Sequence, residues 1–65
     1  MVLKDFIRDN PDRKIILLWF DNNKELQTKY VYQDQLNNIP KNMLKMEVME
    51  TDTFDEEDWV EVWLR

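Results

Sequence analysis

The chain reads as an α+β fold: an N-terminal helix packed on a small, mostly antiparallel sheet of three to four strands, in the order α-β-β-short turn-β-β. Three observations predict it. Ile15 to Phe20 is an unbroken run of six apolar residues, too short for a core helix and rich in the Ile, Trp and Phe that suit strands. Residues 1–9 place apolar side chains at helical spacing and stop short of Pro11. The C-terminal third alternates apolar and polar residues, as a half-buried strand does. With 65 residues the chain has room for one domain, 1–65, near the size at which a single core is marginal.

The helix spans Met1 to Asp9. Val2, Leu3, Phe6 and Ile7 form one stripe, and Lys4, Asp5, Arg8 and Asp9 take the other side. Pro11 disfavours helical geometry at Asn10, so the helix stops there. A helix this short does not hold alone in water and must pack on the sheet, anchored by Phe6. Lys14 to Asp21 is the central strand. Ile15, Leu17 and Trp19 share one of its faces; Ile16, Leu18 and Phe20 share the other. Both faces want cover, and a short chain has little with which to cover two.

Asp21-Asn-Asn-Lys24 predicts a type I′ hairpin, with both Asn residues at positive φ. The second strand follows from Glu25 to Tyr32. It sets Leu26, Thr28, Tyr30 and Tyr32 against Gln27, Lys29 and Val31. Gln33 to Met43 predicts short helical turns, one capped by Asp34 and one opened by Pro40. Leu36, Ile39 and Met43 are its apolar anchors. Leu44 to Thr51 reads as the third strand, with Met43 and Met49 on its polar side. Asp52 to Asp58 reads as a loop. Trp59 to Leu64 is the fourth strand, with Val60, Val62 and Leu64 toward the core and Trp59, Glu61 and Trp63 away from it.

Composition excludes much chemistry. There is no Cys, His, Ser, Gly or Ala. Disulfides, thiolate metal sites, the imidazole base and the usual nucleophiles are all missing. No Gly-rich phosphate loop exists, and the acidic clusters lie where nothing raises a carboxylate pKa. The chain is therefore expected to be no enzyme, with no catalytic residue, no metal and no cofactor. The net charge of −5 is uneven. Residues 1–45 carry eight basic and six acidic side chains, whereas residues 46–64 carry eight acidic and no basic ones. That acidic third argues against direct nucleic-acid binding. No window suits a signal peptide or a membrane span.

Two features carry the functional expectation. The first is a sheet face that the helix leaves open, with Trp59, Trp63 and Trp19 as its candidate partner-binding aromatics. It reads as a binding face or a homodimer seam, unless a loop folds over it. The second is the acidic segment Glu50, Asp52, Asp55, Glu56, Glu57 and Asp58. It reads as a solvated loop, as a contact for a basic partner, or as a divalent-ion site that lacks EF-hand spacing. A further alternative is a homo-oligomer that sequesters a small ligand such as a nucleotide, with Trp19, Tyr30, Tyr32, Trp59 and Trp63 stacking a base or ring and Lys29 or Arg13 pairing a phosphate. The blandest is a structural or assembly module.

Leu3-Lys-Asp-Phe-Ile-Arg-Asp-Asn-Pro-Asp12, then Lys14-Ile-Ile-Leu17, then Ile39-Pro-Lys-Asn-Met-Leu44 give a layout that resembles small uncharacterised α+β proteins encoded by phages and prophages of low-GC bacteria. The resemblance transfers no functional residue. It implies action in the host-cell cytoplasm, and binding to a host protein, such as a defence nuclease, that the chain inhibits. The expected partner is a host protein with a basic surface.

Overall fold

The N-terminal stripe folds as predicted, into α1 (Leu3–Asp9), with Leu3 and Phe6 buried. At its end Asn10 leaves helical geometry, and its side-chain Nδ2 donates to the carbonyl of Phe6 at 2.9 Å. That bond satisfies a carbonyl the terminating helix would otherwise leave open. The computed structural model describes residues 1–53 and 58–65.

The apolar run forms β1 (Lys14–Phe20), and β2 (Leu26–Val31) pairs antiparallel to it, from Ile15 opposite Val31 to Phe20 opposite Leu26. The connecting turn is not type I′. Among the described residues only Lys24 has positive φ, at 62°. The turn is organised by the Asp21 carboxylate, whose Oδ1 accepts the backbone N–H groups of Asn23 at 2.8 Å and Glu25 at 3.0 Å. Its Oδ2 accepts from Gln27 Nε2 at 2.9 Å. Lys24 N–H closes onto the Asp21 carbonyl at 3.0 Å. One left-handed residue after such a turn gives a longer hairpin loop, and the acid three residues upstream stabilises it without glycine.

From Val31 the chain passes over one face of the sheet. A 3₁₀ segment (Gln33–Asn38) leads into α2 (Lys41–Leu44). Tyr32, not Asp34, caps the first: its N–H donates to Gln35 Oε1 at 3.4 Å, and Gln35 N–H donates to its carbonyl at 2.9 Å. Ile39 and Met43 are buried and Leu36 is half-buried, so the predicted anchors hold. Met43 thus faces the core rather than a polar strand side, because it sits on a helical turn. For the same reason the third strand begins later than its pattern suggests. Leu44 ends α2, and Leu44, Met46 and Val48 are half-buried from a helix end, a turn and a strand start. An apolar residue at every second position predicts one strand, but the pattern spans three local structures.

The third strand, β3 (Val48–Thr53), reaches Asp52 and Thr53, which the sequence assigns to a loop. Its partner β4 (Trp59–Leu64) has the predicted bounds. A bulge between Val48 and Glu50 interrupts their antiparallel register. The four strands lie in the order β2-β1-β4-β3, and the two central strands, β1 and β4, run parallel. The crossover explains this. A chain that leaves β2 at one edge and returns as a hairpin at the far edge sets its last strand beside its first.

The core is one layer of helix on one face of sheet. Leu3, Phe6, Ile39 and Met43 cover Ile15, Leu17, Val31, Val60, Val62 and Leu64, with each of these ten at most 9% exposed. Burying aliphatic side chains of this size stabilises by roughly 1.5–3 kcal/mol each. Among the described residues no helix is long and apolar enough to cross a membrane.

Candidate functional site: the open sheet face

Register decides which side chains share the second face, because paired residues project to the same side. Lys14 pairs with Trp59, Ile16 with Glu61, and Leu18 with Trp63. On the other flank Ile16 pairs with Tyr30, Leu18 with Thr28, and Phe20 with Leu26. Among the described residues no helix covers this face. Phe20 is 60% exposed, Leu26 48% and Tyr30 60%. Leu18 is nearly buried, yet it lies outside the helix-side core cluster.

One corner is aromatic. The Trp59 ring meets Tyr30 edge-on at 5.5 Å between centroids and Tyr32 at 5.1 Å. Lys14 Nζ sits 5.0 Å from the centre of the same ring, within cation–π range. A shallow hollow of about 520 Å³ adjoins this corner, lined by Pro11, Asp12, Lys14, Tyr32 and Asp34. β3 adds a line of carboxylates. Glu50 pairs with Trp63 and Asp52 with Glu61, and both are exposed. At the end of that line Arg65 Nη2 donates to Glu47 Oε2 at 2.8 Å. That bond, with the Arg65 charge behind it, holds the Glu47 carboxyl below the ordinary glutamate range. The face therefore runs from aromatic and aliphatic side chains on β2 and β1, past Trp59 and Trp63, to acids on β4 and β3.

The candidate residues divide accordingly. Trp59 and Trp63 lie together on the open face, both half-buried. Trp19, expected beside them, lies instead on the helix side. It has the parity of Leu17, which pairs with Val62, and it packs half-buried against the helix-side core. Glu50 and Asp52 belong to the β3 edge rather than to a loop, and Asp58 is exposed just before β4. Asp55, Glu56 and Glu57 lie outside the described residues.

Of the ring-stacking set, Tyr30 and Tyr32 meet Trp59 as a group, and the cation over the Trp59 ring is Lys14 rather than Lys29. Lys29 pairs with Leu17 and so projects to the helix side. Sequence reading set Glu61 beside Trp59 and Trp63 but did not join Lys14, Phe20 and Leu26 to them. Strand parity grouped them within each strand; only the pairing of the strands puts them together. Among the described residues no three His, Cys, Asp or Glu side chains are grouped to hold a metal ion. No protein-family model, curated protein or solved structure matches the chain.

Proposed function

We propose that the chain is a non-catalytic protein-binding module whose open sheet face docks on a partner that presents basic side chains around an apolar patch. The observation that carries this reading is the exposure of Phe20, Leu26 and Tyr30 on a continuous sheet face bordered by Glu50, Asp52 and Glu61. Exposed large apolar and aromatic side chains in one patch favour association, and Trp and Tyr supply much of the energy at interface centres. The acids select the partner. A second copy would bring the same excess of carboxylates to the seam, whereas a cationic surface would pair with them. The absence of Cys suits a reducing compartment such as the cytoplasm. The sharper form, inhibition of a host protein such as a defence nuclease by a phage product, rests on the resemblance in layout alone.

The test uses the chain as bait, beside a Trp59→Ala/Trp63→Ala variant checked for fold by circular dichroism. A partner should be retained by the parent chain, lost with the variant, and released as salt rises, because exposed charge pairs are screened over about 10 Å at 0.1 M salt. Equal retention by the folded variant, or salt-independent binding, overturns the proposal. Light scattering at two salt concentrations tests the competing reading: a stable dimer would assign the face to self-association.

A further inference from the structure

On the helix layer, across the sheet from the open face, a hollow of about 390 Å³ is lined by Val2, Lys4, Lys41, Leu44 and Lys45. Its floor is apolar, since Val2 and Leu44 are half-buried hydrophobic residues. Its rim is cationic. Lys4 comes from α1; Lys41 and Lys45, one helical turn apart, come from α2 and the residue after it. None of these lysines takes part in an ion pair among the described residues, where Arg8 pairs with Asp5 and Asp9, and Arg65 with Glu47. On a chain of net charge −5, three convergent lysines without carboxylates form a local reversal of the field.

The walls are fixed by backbone bonds. Leu3 N–H donates to the Met46 carbonyl at 2.9 Å and Val48 N–H to the Met1 carbonyl at 2.8 Å. The Pro40 carbonyl accepts from Met43 at 3.0 Å and from Leu44 at 3.2 Å. The start of α1 is thus tied to Met46 and to Val48 of β3, and Met46 N–H donates in turn to the Met43 carbonyl of α2 at 3.0 Å, so the hollow exists before any ligand arrives. Lysine stems extend the apolar floor while their ammonium groups stay in water. Small-molecule pockets run from about 300 to 1,000 Å³, so this one suits a small occupant.

We propose that this hollow binds a small anionic amphiphile, a carboxylate or phosphate ester on a short hydrocarbon body. The lysines hold the head group, and Val2 and Leu44 receive the body. The site is independent of the open sheet face, and the failure of either proposal leaves the other standing.

Nuclear magnetic resonance titration of the full chain tests it, with octanoate and octyl phosphate as probes and acetate and inorganic phosphate as their bodiless controls. Either amphiphile should give saturable shifts at the amides of Val2, Lys4, Leu44 and Lys45. The controls should bind at least about tenfold more weakly, as should either amphiphile to a Lys41→Gln/Lys45→Gln variant, a difference of about 1.4 kcal/mol. Those lysines are exposed, so the variant is expected to fold, and its undisturbed core amides check that. The site is refuted by non-saturating shifts, by controls that match the amphiphiles, or by a folded variant that binds as well as the parent. Retention on anionic vesicles without saturable binding of the free probes also overturns it, in favour of no ligand site here.

Discussion

Leu17 and Leu18 are neighbours in one strand and lie on opposite faces of one sheet. Leu17 is fully buried beneath the helices, in a cluster with Val62 and Leu3. Leu18 is 7% exposed with no helix above it among the described residues, flanked within the sheet by Thr28 and Trp63. The two faces thus lose water by different means. One is covered by a second layer; the other is sheltered only where side chains of adjacent strands lean together. Lateral shelter is incomplete, so Phe20, Leu26 and Tyr30 remain exposed on that side. A layer of two short helices and a 3₁₀ segment covers a single face, and Phe20, Tyr30, Trp59 and Trp63 lie on the other.

The largest expected effect separates the faces outright. Leu17→Ala should cost about 2–5 kcal/mol of stability, because it opens a cavity where layers meet. Urea unfolding measures it, and a loss under 1 kcal/mol would mean that the helix layer is loosely seated. Next comes the turn that belongs to neither layer. Asp21→Ala removes the acceptor of two backbone N–H groups and of Gln27. It should cost about 1–2 kcal/mol, in the range of a lost cap. Faster amide exchange at Asn23 and Glu25 should accompany it; unchanged exchange would put the turn under backbone control alone.

A smaller effect is expected on the open face. Phe20→Ser should change stability by no more than about 0.5 kcal/mol, as substitutions at exposed positions do. A loss like that of Leu17→Ala would show that something covers this face in solution. The smallest effect concerns the end of the carboxylate line. Glu47 titrates low because Arg65 donates to it and carries a nearby positive charge. A depressed carboxylate adds stability above its unfolded pKa, and that contribution is lost as pH falls through the folded value. Arg65→Ala should therefore move the Glu47 titration up toward the ordinary glutamate range, followed by carboxyl chemical shifts. An unmoved titration would assign the shift to another group.

What could be read in advance follows from the range of each interaction. Phase along a single element needs only local spacing. α1 ends where Pro11 requires, β1 follows the apolar run, and β4 has its predicted bounds, because helix and strand periods are properties of consecutive residues. The same locality misled at Leu44, Met46 and Val48, where a period of two crosses a helix end and a turn. It misled again at Asp21, whose carboxylate replaced the backbone preference expected of the two Asn residues.

The sequence by itself determined the fold class, the alternation in each strand, and the shortage of chain for covering a sheet with two apolar faces. Only the tertiary structure decided how those alternations combine. The parallel register of β1 with β4 sends Trp19 to the helix side and brings Trp59 and Trp63 beside Lys14 and Leu18. Closure of the crossover lays Glu50 and Asp52 along an edge, next to Glu61 and Trp63. These are contacts between residues about 10 to 45 positions apart in the chain. A one-residue slip between strands would exchange the faces while leaving each strand's own pattern unchanged. The choice between registers is made by packing beneath the helices, where Ile15, Leu17, Val60 and Val62 must all be buried at once.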